Sequence, residues 1–516
     1  MKKPKALLLA ALSVLASACL LNAQENNTIT LQTDKAQTII SKDIYGQFSE
    51  HLGRCVYEGI WVGENSAISN TKGYRNDVLT ALKDMGIPVL RWPGGCFADT
   101  YHWKDGIGPK EKRASIINVT WGGYTEDNSF GTHEFLNLCE MLGCDAYISG
   151  NVGSGTVQEM TEWLEYMTSN AESPMTKLRK QNGREKPWNV KYLGIGNEAW
   201  GCGGNMTPEY YSDLCKQYAT YLSGANNKVV KVASGASDVN YNWTDVLMKK
   251  VGPLVQAVSL HYYTLPGNWT VKGSATDFKE AEWFVVLKKT LFMDSMVREH
   301  IAVMDKYDKA KKMSLMVDEW GTWYDEDAVV KSPLYQQNTL RDAMVAAANL
   351  NIFNNHSDRV KMANIAQVVN VLQSMILTKN EQMVLTPSYY VFKMYKVHQN
   401  ATLIPLDIKC GKYTFGNESI PAISASASKD GSGKIHVTLA NLDPNKENTV
   451  TIDMGTIKMA TVTGEVITSK NINDFNDFGS APKVVMAKFE KFKLNGNKLL
   501  VTLPSKSVVG LELSTK

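Results

Sequence analysis

From about residue 43 to residue 380, short apolar runs alternate with longer segments of helical period, so buried strands and amphipathic helices follow one another along the chain. Eight of the short runs read as strands: Ile44 to Phe48, Pro88 to Trp92, Ala146 to Ser149, Tyr192 to Ile195, Val229 to Ala233, Ala257 to His261, Ser314 to Val317 and Met362 to Val368. Helical patterns lie between them, among them Tyr74 to Met85, His133 to Leu142, Pro208 to Leu222 and Gln337 to Phe353. Repeated βα units make a parallel sheet, and eight of them predict an α/β fold, a (β/α)8 TIM barrel. After about residue 385 the period drops to two and is broken by Gly, Asn and Asp, as in KIHVTLANLD, NTVTIDMG and NKLLVTLPSKSVVGLEL. That pattern predicts a C-terminal β-sandwich. The segment Thr28 to Ile40 reads as a strand pair able to join the same sandwich. The expected division is residues 1–23 as a leader, 24–42 as strands joining the sandwich, 43–384 as the barrel and 385–516 as the sandwich. No repeat or low-complexity linker intervenes, so barrel and sandwich are expected to pack tightly.

Composition refines this picture at the N-terminus and excludes some partners. The 516 residues, 44% hydrophobic, suffice for two domains with a large core. Lys2, Lys3 and Lys5 precede an apolar run from Ala6 to Leu21 that Asn22-Ala23-Gln24 ends, which reads as a secretory signal peptide cleaved after Ala23. Ala16-Ser17-Ala18-Cys19 is a rival processing site of bacterial lipoprotein type that would leave a lipid anchor on Cys19, although Ala16 stands where a larger aliphatic residue is usual. Export to the periplasm or the medium is expected either way. No later stretch reaches the ~20 apolar residues of a membrane-spanning helix. Apart from Cys19, the cysteines (Cys55, Cys96, Cys139, Cys144, Cys202, Cys215, Cys410) are odd in number and scattered over a chain that needs no staples, so they read as free buried thiols. The balance of 55 Lys+Arg against 52 Asp+Glu, without long runs of one sign, argues against a nucleic-acid partner. The eight His residues show no HxH or HExxH spacing, so neither a metal nor another cofactor is expected.

In such a barrel, reactive groups sit where strands end and βα loops begin. Strand four runs YLGIG into Asn197-Glu198, and strand seven runs SLMV into Asp318-Glu319. Two carboxylates facing each other across one barrel mouth are what glycosidic cleavage requires, one to protonate the leaving oxygen and one to stabilise or attack the anomeric carbon. Asp318 and Glu319 are neighbours in a strand, so only one of them is expected to aim into the cleft.

Six segments then carry a resemblance: GIGNEAW, MVDEWG, FSEHLGRCVYEGIW (Phe48 to Trp61), RWPGGCFADTYHWKDGIGP (Arg91 to Pro109), SLHYY and AQVVNVL. Together they resemble a glycoside hydrolase family 51 α-L-arabinofuranosidase over essentially the whole chain beyond the leader. The resemblance implies a barrel with a jelly-roll sandwich, an exo-acting retaining mechanism on arabinose-containing oligo- or polysaccharides, and a homo-oligomer, often a hexamer. It implies Glu198 as acid/base and Glu319 as nucleophile. An endo-β-glucanase or xylanase of the same family is the alternative, since one carboxylate pair can serve both.

The remaining site residues follow from the same comparison and from their chemistry. Glu50 is expected to accept hydrogen bonds from sugar hydroxyls, unless it is spent in an ion pair with Arg54 or Arg91. Arg91 has donors enough to hold either Glu50 or Glu319. Asn197 is expected at the sugar 2-hydroxyl, Tyr263 beside the nucleophile, and Trp121 and Gln367 in the sugar subsite. Cys96 stands where some family members carry Asn, and a thiol is the poorer donor. His261 reads most simply as a satisfied residue at a strand end, with orienting the neighbourhood of Glu319 as the alternative, and is left outside the catalytic set.

Overall fold

The computed structural model describes residues 27–222, 228–327 and 329–515. The expected leader, with the cleavage site at Ala23 and the rival site at Cys19, lies outside the described residues.

Eight parallel strands close into a barrel: β1 (Gly46–Phe48), β2 (Val89–Trp92), β3 (Asp145–Gly150), β4 (Val190–Ile195), β5 (Val230–Ser237), β6 (Ala257–Thr264), β7 (Ser314–Thr322) and β8 (Val360–Ala366). Each pairs with its neighbour in sequence, and β8 returns to β1. The lower interior is filled by Val89, Tyr147, Tyr192, Val232, Ala257, Met316 and Met362, one from each of β2 to β8, so the barrel is a packed core and not a pore. Asp43 plugs the lower end by accepting hydrogen bonds from Tyr192 Oη (2.5 Å) and Lys191 Nζ (2.7 Å). That anchor folds Lys42–Tyr45 into a 3-10 turn, and β1 therefore starts two residues later than its apolar run suggests.

Two other strands overrun their apolar runs. β6 and β7 continue pairing through His261↔Glu319, Tyr263↔Gly321 and Thr264↔Thr322, because the ladder is made by backbone groups and does not stop where side chains become polar. The register slips between Ser259 and His261 on one strand and Met316 and Glu319 on the other, and again between Val317 and Trp320 against β8. This irregularity surrounds Asp318 and suspends the strict alternation of faces.

The helices start and stop where local chemistry allows. Asn76–Met85 and Thr132–Leu142 each end on a left-handed glycine, Gly86 and Gly143. Pro208–Tyr221 opens with Pro after Thr207, whose hydroxyl accepts from Tyr210 N–H. The helix expected from Gln337 begins at Leu340, because Thr339 and Asp342 form a capping box there. This helix, Leu340–Asn355, is buried on all sides between barrel and sandwich. Its Asn351 and Asn354 exchange hydrogen bonds with Ser424, Ser426 and Thr438 of the sandwich at 2.9–3.2 Å.

The sandwich consists of a five-stranded and a six-stranded sheet. Asn27–Leu31 lies in the first, antiparallel to Leu406–Lys409 and parallel to Asn448–Asp453. The rest of the expected strand pair is a 3-10 turn at Thr33–Lys35 and one bridge from Ile39 to Thr402. The period-two region is also entered later than expected: Pro387–Tyr395 is a helix packed against both domains, and the sandwich strands after it start at Thr402. Among the described residues no helix is long and apolar enough to cross a membrane.

Candidate active site

A cavity of about 340 Å³ opens at the C-terminal mouth of the barrel, and Glu50, Cys96, Trp121, Glu198, Tyr263, Glu319 and Gln367 all line it. Arg91 and Asn197 stand behind this surface, 1% and 2% exposed. All nine residues singled out from the sequence are thus brought together around one space.

Glu319 is fixed from two sides. Tyr263 Oη donates to its Oε1 at 2.7 Å and Arg91 Nη1 to its Oε2 at 2.9 Å. Arg91 also donates to the Asp318 carbonyl (3.1 Å), to Ser149 Oγ (3.1 Å) and to Asn197 Oδ1 (2.5 Å). The choice left open between Glu50 and Glu319 as its partner is therefore resolved in favour of Glu319. With its oxygen taken by Arg91, Asn197 keeps only Nδ2 for other contacts, and that atom lies 3.9 Å from Cys202 Sγ.

Glu50 makes no ion pair with Arg91 or Arg54. It accepts instead from Gly95 N–H and Phe97 N–H (both 3.1 Å), Trp121 Nε1 (2.9 Å) and Gln367 Nε2 (2.7 Å). Burial, helped by the charge of Glu319, raises its carboxyl to about 7 despite these donors.

Glu198 sits just past β4 at φ 42, a left-handed conformation that is rare away from glycine. The turn is held there by several bonds. Asn197 N–H donates to Asp99, Ala199 N–H to Ser234 Oγ, and Gly201 and Gly203 N–H both to the Glu198 carbonyl. Gly203 has no substitute, since a Cβ there would stand 1.9 Å from the Asn197 carbonyl oxygen. Asp99, buried and accepting from Val152, Gly153 and Asn197 N–H, ties the loops after β3 and β4 together; burial raises its carboxyl to about 7.

One carboxylate oxygen of Glu198, one of Glu319 and a ring nitrogen of His261 all lie within 4.8 Å of one another. His261 Nδ1 is 3.0 Å from Glu198 Oε1, and Nε2 is 3.1 Å from Asp318 Oδ1. Burial, which opposes a charged ring, is outweighed by Glu319, Asp318 and Glu198, and the imidazole rises to about 10. Asp318 also accepts from Tyr147 Oη at 2.6 Å, and Arg91 and His261 hold its carboxyl below the usual range against the effect of burial. Burial foremost, with the Glu319 charge adding to it, raises the Glu198 carboxyl, and the His261 contact only partly offsets the rise.

Family models described as Alpha-L-arabinofuranosidase 1 domain and Alpha-L-arabinofuranosidase C-terminal domain match residues 81–281 and 318–507. The chain is 56% identical over 512 residues to an intracellular exo-alpha-L-arabinofuranosidase of Bacteroides ovatus, covering 99% of this chain and 100% of the relative. The chain belongs to the α-L-arabinofuranosidases of glycoside hydrolase family 51. Among solved structures it resembles the family 51 arabinofuranosidase of Xanthomonas axonopodis pv. citri, with a TM-score of 0.93, 46% identity, and coverage of 95% of this chain and 100% of the other. An arabinose complex of the Thermotoga maritima α-L-arabinofuranosidase follows at TM-score 0.85 and 29% identity, covering 94% and 99% of the two chains.

Within this arabinofuranosidase fold one expectation needs correction. Cys96 and Cys202 are not free thiols: the loops after β2 and β4 bring their Cα atoms to 5.5 Å and the sulfurs are bonded. Sequence spacing concealed the pair, because the two positions are 106 residues apart and meet only when the barrel closes. As a disulfide sulfur, Cys96 has no hydrogen to donate to a sugar, although it still lines the cavity and lies 3.8 Å from Glu198 Oε2. His261 is satisfied, as expected, and it is so by bridging Glu198 and Asp318. As expected, only Glu319 of the neighbouring pair reaches the cavity; Asp318 lies behind it, at a register slip that interrupts the alternation. Asp99, Ser149 and Cys202 carried no recognisable signal in the sequence, as each acts through a loop or strand distant along the chain. We predict that peptide mapping without reductant finds Cys96 linked to Cys202, while Cys55, Cys139, Cys144, Cys215 and Cys410 are all alkylated after unfolding; alkylation of Cys96 in the unreduced protein would contradict the pairing.

Proposed function

We propose that this exo-acting α-L-arabinofuranosidase works with retention, Glu319 serving as nucleophile and Glu198 as acid and then base. The observation that carries this reading is the short distance between the carboxylates, within 4.8 Å at their nearest oxygens. A retaining enzyme needs a separation of about 5 Å, whereas an inverting one needs several ångströms more to admit water.

In the first step Glu319 attacks the anomeric carbon while Glu198 gives its proton to the departing glycosidic oxygen. The bond to that oxygen breaks, and an arabinofuranosyl ester forms on Glu319. With its imidazole raised to about 10, His261 donates from Nδ1 to Glu198 Oε1, which leaves Oε2 for the acidic hydrogen. Esterification removes the Glu319 charge, which had raised the Glu198 carboxyl. Glu198 can then take a proton from water, whose oxygen attacks the ester-bound carbon and frees the sugar and Glu319. Glu50, with Trp121 and Gln367 each donating to one of its oxygens, forms a polar wall fit to read the sugar hydroxyls. The relatives are arabinofuranosidases by name, and they lend no support to the endo-glucanase or xylanase alternative.

Export is part of the proposal. It is supported by the basic and apolar N-terminal segment and by the Cys96–Cys202 disulfide, which suits an oxidising compartment. The name of the Bacteroides ovatus relative reads intracellular, so N-terminal sequencing of the protein from fractionated cells is the deciding measurement; an uncleaved Met1 in the cytoplasmic fraction would overturn export. A homohexamer is proposed on the family resemblance alone, and a sedimentation mass other than six chains would overturn it.

For the chemistry, Glu319→Ala should lower kcat on an aryl α-L-arabinofuranoside by at least about 10³-fold. Glu198→Ala should spare substrates with good leaving groups, which need no proton, and with azide should yield the α-L-arabinofuranosyl azide. A β-configured azide from this variant would rule out the assigned roles. The pH profile offers an independent check. Activity falls as Glu198 loses its proton, so the alkaline limb of kcat/KM follows that group. His261 lowers the Glu198 carboxyl, so His261→Gln should move the limb to higher pH and cut kcat about tenfold; movement to lower pH would count against the assignment.

A further inference from the structure

The Cys96–Cys202 disulfide takes no part in the two catalytic steps, yet both of its sulfurs face the proposed acid. Glu198 Oε2 lies 3.4 Å from Cys202 Sγ and 3.8 Å from Cys96 Sγ. Among the described residues no N–H or O–H group bonds this oxygen, whereas Oε1 has His261. The oxygen left for the acidic hydrogen is therefore packed against sulfur.

The bond is not what holds its two loops. Cys96 stands between Gly95 and Phe97, whose N–H groups both donate to Glu50 Oε1 at 3.1 Å. Cys202 stands between Gly201 and Gly203, whose N–H groups donate to the Glu198 carbonyl at 2.7 and 3.1 Å. Asp99 ties the second of these loops to the one after β3 by bonds of its own. Opening the disulfide thus changes which atoms face Glu198 more than where Glu198 stands.

The two redox states present Oε2 with opposite chemistry. A disulfide sulfur has no hydrogen and is a weak acceptor, so it tolerates a protonated oxygen and offers a carboxylate nothing. A thiol has a hydrogen to give. Its donation to Oε2 favours the ionised form and makes the group a stronger acid. The other groups that act on Glu198 are the same in both states: His261 and Tyr263 from β6, Glu319 from β7, Arg91 from β2, and the Glu50 and Asp238 carboxyls lining the same cavity. Cys202 is exposed, so a dissolved thiol can reach its sulfur.

We propose that the Cys96–Cys202 disulfide is a redox switch on the acid: closed, it leaves Oε2 without a donor and its hydrogen in place; opened, it gives Oε2 two thiol donors that draw the hydrogen off. This rests on Glu198 being the acid. A dithiol supplies the two electrons and two hydrogens: the S–S bond breaks, each cysteine sulfur ends with one hydrogen, and the reagent closes into a cyclic disulfide.

The test reads the alkaline limb of kcat/KM on an aryl α-L-arabinofuranoside before and after treatment with dithiothreitol, with alkylation of Cys96 and Cys202 proving the bond open. Reduction should move the limb about one pH unit lower, and reoxidation should restore it. Cys96→Ser with Cys202→Ser, whose hydroxyls can donate, should hold the limb low with or without the dithiol. Cys96→Ala with Cys202→Ala opens the bond without supplying a donor and should keep the limb within about 0.3 unit of the oxidised position. A limb unmoved in protein whose two cysteines are alkylated, or moved equally in the Ser and Ala pairs, overturns the switch. His261→Gln separates this failure from failure of the acid assignment. A limb that answers His261→Gln and not reduction overturns the switch alone, and a limb that answers neither overturns Glu198 as the acid.

Discussion

The Arg91 guanidinium lies behind the cavity, stacked over the Phe48 ring of β1 at 4.4 Å and bonded to Ser149 of β3, Asn197 after β4, and both Asp318 and Glu319 of β7. A buried cation is tolerated only when its charge and donors are matched, and the carboxylates of Asp318 and Glu319 supply the match. The same bonds fix Glu319 relative to three other strands. Because a guanidinium is planar and its donors are rigid, the geometry passes from one strand to the next with little slack. Lysine could neither span these partners nor set their directions.

His261 adds a second positive charge on the far side of Asp318. Two cations thus stand against Asp318 and Glu319, and the mouth of the barrel has little net charge left with which to ionise further acids. Glu198 and Glu50 are accordingly both raised, chiefly by burial. A raised Glu198 carboxyl beside two cations facing Glu319 is the environment that the proposed acid and nucleophile require. It also links the two proposed steps, since an ester on Glu319 would remove part of what raises the Glu198 carboxyl.

The barrel could be read from the sequence because each strand is a local run with its own apolar signature, and the count of eight needs no long-range information. Strand ends were legible only where the apolar run and the ladder end together. At β6 and β7 they do not, and there the reading stopped before Tyr263 and Glu319, which the structure places within strands. The carboxylate pair Glu198 and Glu319 was legible from the strand ends, whereas the places of Tyr263 and Gln367 at the cavity were legible only through long motifs matched to a family. The disulfide, the His261 bridge and the service of Asp99 were not legible, since each depends on the approach of loops far apart in sequence. Alternation failed at Asp318 for a different reason: a register slip is set by the neighbouring strands and leaves no mark in the strand that carries it.

The distribution of rigid and irregular backbone has a consequence for specificity. Arg91, Tyr263 and Glu319 belong to strands, and Glu198 to a turn over-determined by its hydrogen bonds, so the groups that break the bond are tied to the barrel core. Trp121, Asp238, Trp269 and Trp323 belong to the loops and turns around the mouth. Loops tolerate substitution without loss of the fold, whereas a strand residue in a packed barrel does not. Divergence among relatives that share the carboxylate pair should therefore concentrate on the loops around the mouth, while the strand-borne groups stay the same.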